Sequence, residues 1–489
     1  MTLLCGLDLG SSGVKGVLVD PDRGIVASAQ CGVDLYSESP GWAEADPAQW
    51  WAAVGQVVRE LRAAAPGAIA AVAVSGMVPA VVVVDRDGHP LRRAMLQNDA
   101  RATMEIHELR NELADLDLVA LTGSVLSQQS VAPTGLWLAR HEPDVWAVAD
   151  ALQGSYDWVA RRLGAEAHVE QNWAIESGLY RLDLTPLDRV IAATGVSWPA
   201  LLPVRRPGDV VGEVSATAAD ETGLDVGTTI VVGGADHVLS AFGAGLLAHG
   251  DTLVKLGGAG DILAVSDDLF LDDRLYLDSH PLMGKWLPNG CMATSGSLLR
   301  WEQHLLGDVD LTVLDAEAAV STPGALLALP YFLGEKTPLH DPDLRGALLG
   351  LHLGTTRGDL HRAFLEAIAY GFRAHAEVFA QGGLTLGTVR VTNGGSKSRL
   401  WREILASVLQ RDLHSIINHP GASFGAATLA GLGIGAIADP RYVLDALEPG
   451  EILSPDPTQV ARYDERYHQF LALGDVTTSL SHQLARSHS

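Results

Sequence analysis

The start of the chain has a pattern that returns near its middle. An apolar run from Leu3 leads into Gly10-Ser11-Ser12-Gly13, and a second apolar run follows up to a turn at residues 21–24. Residues 251–266 repeat this order around Gly257-Gly258-Ala259-Gly260. Each copy predicts two β-strands joined by a glycine turn, and the first copy continues into an antiparallel meander. The repeat indicates an α/β chain with a second domain.

The length also favours two domains. A chain of 489 residues exceeds what one hydrophobic core usually organises. We place the boundary near residues 244–250, which gives domains at 1–246 and 247–489. A cleft between two such domains is the expected working site.

Charge and cysteine content exclude several classes of partner. Lys and Arg number 34 and Asp and Glu 59, so the net charge of −25 opposes binding to nucleic acid or to an anionic membrane. The three cysteines are far apart, which is typical of a reducing compartment. Neither an export signal nor a long uninterrupted apolar run is visible. We expect a cytoplasmic protein that binds neither nucleic acid nor membrane.

The first glycine turn is a candidate phosphate site. Asp8 ends the opening strand, and Gly10 and Gly13 let the backbone approach a ligand closely. Backbone N–H groups suit phosphate oxygens, and a neighbouring carboxylate suits Mg²⁺. An ordinary hairpin with an Asp in its turn is the alternative.

Two further glycine segments could contact a nucleotide. The turn Gly257-Gly258-Ala259-Gly260 could hold phosphates opposite the first turn. Asn393-Gly394-Gly395-Ser396-Lys397-Ser398 follows a predicted strand and precedes a helix, whose N-terminus attracts phosphate. The chain has neither the P-loop string nor the dinucleotide fingerprint after its first strand. The paired hairpins favour an actin-like ATPase core.

Asp236 is the candidate for acid–base chemistry. It follows a predicted strand at 228–233 and precedes a helix that begins near Val238. Phosphoryl transfer to an alcohol needs a carboxylate that accepts the hydroxyl proton. The alternative is that Asp236 is only the helix N-cap, as we expect for Asp46, Asp359 and Ser398 in other helices.

Taken in order, these segments resemble the FGGY carbohydrate kinases, and most closely their xylulokinase-like branch. The resemblance runs from Leu4 to about Tyr467. It is carried by residues 7–15, 41–51, 98–101, 233–236, 330–338, 393–398 and 421–427.

The resemblance implies two actin-like (RNase H-type) domains with a catalytic cleft between them, closing on ATP, Mg²⁺ and a sugar. It implies Asp236 as the catalytic base and Asp8 as the residue near the metal. The remaining implied contacts are Gly10, Ser11, Ser12, Lys15, Gly257, Gly258, Gly394, Gly395 and Ser396 to the nucleotide, and Met77, Val78, Asp99, Asp236 and His237 to the sugar.

The chain departs from the family pattern in three places. The second phosphate turn lacks the Thr and Ser hydroxyls of the usual Gly-Thr-Ser-Gly. The sugar loop has Met77-Val78-Pro79-Ala80 where xylulokinases have Gln-Met-His-Gly, and His237 replaces an Asn. Changed polar groups alter which sugar fits. His237 could equally be a structural histidine at a helix start.

We therefore expect transfer of the ATP γ-phosphoryl group to a hydroxyl of a ketopentose, with D-xylulose first. The same chemistry on L-ribulose, D-ribulose, glycerol or another polyol is the nearest alternative. A nucleotide-sensing clamp without transfer is the alternative from another class. Family members often form dimers, so a homodimer is expected.

Overall fold

The computed structural model describes residues 2–419 and 421–486, which fold into two compact units. The strand Tyr276–Ser279 straddles a boundary between the units. The first unit comprises residues 2–247, 277–286 and 421–447, and the second comprises residues 248–276, 287–419 and 448–486.

The first unit is built on a six-stranded sheet. Its strands lie in the order Val210–Glu213, Thr229–Ala235, Ala68–Gly76, Thr2–Gly10, Gly13–Asp20, Gly24–Gly32. The three central strands are parallel, and the last three form the predicted antiparallel meander. The sheet is therefore mixed, with its parallel strands in the middle.

Helices cover both faces of this sheet, which explains the apolar sequence of its central strand. Gly6 faces the helix Gly421–Gly433, where a Cβ would lie 1.8 Å from the Ser423 carbonyl oxygen. Gly16 faces the helix Pro47–Ala64, where a Cβ would lie 2.5 Å from Val57. A strand buried on both faces has a nearly continuous run of apolar residues. Leu3, Leu4, Cys5, Leu7 and Leu9 are all fully buried.

The other elements of the first unit are short. Its remaining strands are Leu35–Tyr36, Glu44–Ala45, Val82–Val84, Ala94–Met95, Ala151–Gln153, Val169–Glu170 and Val204–Arg205. Its remaining helices are Thr103–Glu112, Leu118–Thr122, Val131–His141, Pro143–Val148, Ser155–Leu163, Gln171–Glu176, Asp188–Ala193, Ala216–Thr222, Asp236–Gly243 and Tyr442–Asp445.

The second unit repeats the hairpin in its own sheet. Neighbouring strands follow the order Trp286–Met292, Gly260–Ala264, Thr252–Leu256, Val389–Thr392, Leu413–Ile416, Pro449–Leu453. The central three are parallel, and Gly260–Ala264 is antiparallel to Thr252–Leu256. The remaining elements are the strands Leu327–Leu329 and Ala347–Leu349, the 3₁₀ helix Gly394–Lys397, and the helices Gly296–Leu305, Leu311–Ala319, Arg357–Gln381, Arg399–Leu409 and Pro457–Arg486.

The predicted helix caps have different outcomes. Asp46 and Ser398 cap their helices through their side chains, as predicted. The prediction for Asp359 is wrong, because Thr356 is the N-cap and Asp359 completes a capping box from the third helical position. Asp236 is not an N-cap either, because Ala235 holds that position and the strand before it extends over Thr229–Ala235.

Within residues 2–419 and 421–486, every helix is too short or too polar to cross a membrane.

Candidate active site

The candidate sugar and phosphate residues of the first unit lie at the same end of its central parallel strands. Ala235 pairs with Gly76, and Gly76 pairs with Leu9. The next residues along the chain are Asp236, Met77 and Gly10. The carboxyl ends of parallel strands are where ligands bind in open α/β sheets. The sheet register therefore brings Asp236, the Met77 loop and the first glycine turn side by side.

Asp236 occupies the first position of the helix Asp236–Gly243. Its Oδ1 accepts a hydrogen bond of 2.6 Å from the backbone N–H of His237. Among the described residues, none donates a hydrogen bond to Oδ2, and the side chain is 34% exposed. The positive end of the helix dipole favours a carboxylate here. In the part of the chain that the structure describes, Asp236 thus keeps one carboxyl oxygen outside any hydrogen bond, on a partly exposed side chain.

His237 lies between Asp236 and the buried Asp278. Its Nε2 is 2.8 Å from Oδ2 of Asp278, and its Nδ1 is 3.5 Å from Oδ1 of Asp236. Burial alone lowers the pKa of His237, but the charge of Asp278 and hydrogen bonds to Asp236 and Asp278 outweigh it. The net pKa lies well above the ordinary value. The contacts with Asp236 and Asp278 therefore favour the protonated form of His237.

The first glycine turn has the donor set for a metal-bound triphosphate. Asp8 and Lys15 are direct partners across the hairpin, so their side chains lie on the same face. Ser11 and Ser12 are exposed at the turn. A carboxylate, an ammonium group, hydroxyls and turn amides together fit Mg²⁺ and phosphate oxygens.

The other predicted sugar contacts are more enclosed. Met77 and Val78 are buried, with 3% and 1% exposure, so their side chains pack inside the unit in this conformation. Asp99 receives two hydrogen bonds from the Arg101 guanidinium, at 2.8 and 2.6 Å, and one of 2.7 Å from the Ala43 N–H. The guanidinium of Arg101 stacks on Trp42 at 3.7 Å. Asp99 is a fixed, fully engaged carboxylate.

In the second unit, the two predicted nucleotide turns come together. The strands Thr252–Leu256 and Val389–Thr392 are parallel neighbours, so both turns begin at the same sheet edge. Asn393 has a φ of 72°, and its Nδ2 lies 3.2 Å from where a Cβ on Gly257 would be. A positive φ is uncommon for a residue other than Gly and frequent at functional turns.

The start of the helix Gly296–Leu305 supports the second glycine turn, a contact that no sequence motif indicated. The N–H of Ser295 and the hydroxyl of Ser297 donate to the Gly258 carbonyl at 2.9 and 2.8 Å. The N–H of Gly296 donates to the Gly257 carbonyl at 2.8 Å. Three consecutive residues thus fix the turn that lacks side-chain hydroxyls of its own.

Sequence reasoning also missed the buried acids behind Asp236. Burial raises the pKa of Glu170 to about 7, and its Oε2 accepts hydrogen bonds from Tyr156 and the Trp173 N–H. Burial and then the charge of Asp278 raise the pKa of Glu176 well above its ordinary value. These acids are distant in sequence from Asp278, so only the folded chain shows that they interact with it.

Known proteins with similar sequences and structures define the class. Residues 3–243 match the N-terminal domain of the FGGY family of carbohydrate kinases, and residues 277–434 match its C-terminal domain. The chain is 27% identical to a xylulose kinase of Staphylococcus epidermidis, covering 99% of this chain and 98% of that one. It is 30% identical to a xylulose kinase of Streptomyces rubiginosus, covering 94% and 90%. The crystal structure of xylulose kinase from Rhodospirillum rubrum superposes with a TM-score of 0.93 at 39% identity, covering 98% and 100%.

This protein is a kinase of the two-domain actin-like fold, a phosphotransferase that uses an alcohol group as acceptor. It belongs to the FGGY family of carbohydrate kinases. Its substrates are accordingly ATP and a sugar.

Proposed function

We propose that the protein transfers the γ-phosphoryl group of ATP to a hydroxyl of D-xylulose, with Asp236 as general base. The similarity to three xylulose kinases supports the sugar. The partly exposed side chain of Asp236, which lies beside the first glycine turn, is the observation that carries the chemistry.

The geometry of Asp236 suits proton abstraction from an alcohol. Its Oδ1 accepts from the His237 N–H, which restricts rotation of the carboxylate and leaves Oδ2 to meet an acceptor hydroxyl. As the sugar oxygen attacks phosphorus, Oδ2 takes the hydroxyl proton, and ADP leaves with the electron pair of the broken P–O bond. Positioning of this kind requires little movement during the reaction.

The proposal includes Mg²⁺ because the groups around Asp8 suit this ion. Mg²⁺ bound to ATP would be held by Asp8 and would neutralise charge on the phosphate oxygens. Lys15, Ser11, Ser12 and the amides from Gly10 would contact the same phosphates. In the second unit, Gly257, Gly258, Gly394, Gly395 and Ser396 would contact the nucleotide.

Met77, Val78, Asp99 and His237 would complete the sugar site. Because the loop lacks the His and Gln of xylulokinases, L-ribulose, D-ribulose, glycerol and other polyols remain acceptors to be tested beside D-xylulose. A homodimer, a cytoplasmic location and sequence domains at 1–246 and 247–489 are part of the same proposal, with residues 277–286 and 421–447 returning to pack in the first unit. Light scattering after size exclusion tests the dimer.

The experiment is a coupled ADP-release assay with Mg²⁺-ATP and a panel of ketopentoses, aldoses and polyols. D-Xylulose should give the highest kcat/KM, and Asp236→Asn should lower kcat by about 10²- to 10⁴-fold. Asp188→Asn is the matched control, because Asp188 is also the first residue of a helix in the same unit and is exposed.

Each alternative has its own result in this assay. A different sugar with the highest kcat/KM would replace D-xylulose. ATP binding without transfer to any polyol would favour a nucleotide-sensing clamp. Full turnover in Asp236→Asn would remove Asp236 from the mechanism.

A further inference from the structure

The histidine beside the proposed base has a support of its own within the first unit. We propose that Asp278 and Glu176 are positioning residues for turnover: Asp278 orients His237 against Asp236, and Glu176 holds Asp278 in place. The inference rests on the proposed role of Asp236 as base.

The contacts form a continuous series from the surface to the interior. The Asp236 side chain is 34% exposed, the His237 side chain 22% and the Asp278 side chain 1%. The 2.8 Å contact from Nε2 to Asp278 fixes the ring and leaves Nδ1 facing Asp236. A ring whose far nitrogen is held by a carboxylate keeps one orientation, as in other His–carboxylate pairs that act on a reacting group.

The helix Gln171–Glu176 secures the strand that carries Asp278. Asn172 accepts a 2.7 Å hydrogen bond from the Ser279 N–H and donates one of 3.1 Å to the Ser279 carbonyl. Glu176 lies four residues further, on the same helix face. Its carboxyl oxygen lies within 4.8 Å of the nearest ligand-type atoms of His237 and Asp278. One helix therefore fixes both the backbone beside Asp278 and its carboxylate.

The charges agree with this geometry. The titratable groups that act on His237 are Asp236 on its own helix, Asp278 on the neighbouring strand and Glu176 on the helix Gln171–Glu176. Glu170 interacts electrostatically with both Asp278 and Glu176. Burial and the charge of Asp278 raise the pKa of Glu176, which favours its protonated form as a hydrogen-bond donor to Asp278. An uncompensated buried carboxylate would be costly, and the imidazolium with the protonated Glu176 compensates Asp278.

The experiment combines histidine NMR with pH–rate profiles. Selectively ¹³C-labelled histidine gives one Cε1–H signal per residue, and His237→Asn identifies the signal of His237. In the unaltered protein that signal should titrate well above pH 7. In Asp278→Asn it should titrate near the ordinary value of about 6.5.

Turnover should respond in step with the NMR titration. Asp278→Asn should lower kcat roughly 10- to 100-fold. It should also move the alkaline limb of the profile to lower pH, because His237 then loses its positive charge near about pH 6.5 instead of well above pH 7. Glu176→Leu should shift the limb in the same direction, whereas Glu176→Gln keeps a donor and should stay close to the unaltered protein.

Gln171→Ala is the matched control. Gln171 lies on the same helix and binds the hydroxyl of Ser279 at 2.6 Å, but it is not one of the groups whose charge acts on His237. It should leave the profile in place. The inference is overturned if His237 titrates near 6.5 in the unaltered protein, or if Asp278→Asn lowers kcat without moving the profile. Absence of sugar-dependent turnover in the unaltered protein is a separate result, which refutes the proposed function and with it this role.

Discussion

Gly394 and Gly395 are adjacent in the proposed nucleotide turn but have opposite surroundings. A Cβ on Gly395 would lie 2.3 Å from the ring of Trp401 and 2.7 Å from Cβ of Leu256. A Cβ on Gly394 would meet nothing within 4 Å. Trp401 is buried, with 1% exposure, and cannot swing away. Only Gly395→Ala should strain the fold.

The cost of Gly395→Ala follows from this overpacking. Forcing a methyl group into a packed core typically costs about 1–3 kcal/mol. For a unit of this size, that lowers Tm by roughly 2–4 °C per kcal/mol. Gly394→Ala should change stability by less than about 0.5 kcal/mol, as other exposed substitutions do. If Gly394 lies under the nucleotide, however, Gly394→Ala should raise the KM for ATP about tenfold, which corresponds to roughly 1.4 kcal/mol.

Differential scanning fluorimetry and ATP titrations of both variants test the pair. Equal thermal stability of the two variants would refute the packing argument. An unchanged KM for ATP in Gly394→Ala would contradict the contact with the nucleotide.

Two further predictions concern packing and pH. A Cβ on Gly233 would lie 1.9 Å from the Val74 carbonyl oxygen, whereas one on Gly234 would lie no closer than 3.6 Å to any atom outside its own chain neighbours. Gly233→Ala should therefore give little folded protein and Gly234→Ala a normal yield, as measured by soluble expression and circular dichroism; similar yields would contradict this. The pKa of His361 is raised to about 9, because hydrogen bonds to Asp315 and Glu302 outweigh the lowering effect of burial. The protonated ring contributes at most about 3 kcal/mol to the free energy of unfolding. This contribution is complete below about pH 6.5 and is lost as pH rises through 9. Urea unfolding from pH 6 to 9.5 should show this loss in the unaltered protein and not in His361→Gln; parallel curves would contradict it.

Local patterns in the sequence predicted the elements that bear the site. Both glycine hairpins, the strand Val389–Thr392 and the caps at Asp46 and Ser398 depend on residues close in sequence, and the structure has them as predicted. Turn and cap chemistry is local, so a single sequence is enough to find it.

Long-range placement could not be predicted in the same way. Residues 277–286 and 421–447 belong to the first unit although they follow residue 247. Asp278 and Glu176 are far apart in sequence, and neither lies in a recognisable motif. Their pairing with His237 depends on how the strand Tyr276–Ser279 meets the helix Gln171–Glu176, which hydrophobic periodicity does not encode.

The Asp359 prediction failed for a local reason. An Asp before an apolar run predicts an N-cap, but Thr356 stands three residues earlier and forms a capping box with it. Thr356 and Asp359 are both possible caps for this helix. The helix that begins after Thr356 is longer than one that would begin after Asp359, and it buries more apolar surface.

We propose that Asp236 accepts a proton from a sugar hydroxyl during phosphoryl transfer from ATP. The most direct measurement is ³¹P NMR of a mixture of protein, Mg²⁺-ATP and D-xylulose, with Asp236→Asn run in parallel. We predict one new phosphomonoester signal, formed in step with ADP and at least about 100-fold more slowly in Asp236→Asn. ADP formed without a sugar phosphate, or equal rates in the two proteins, would contradict the account.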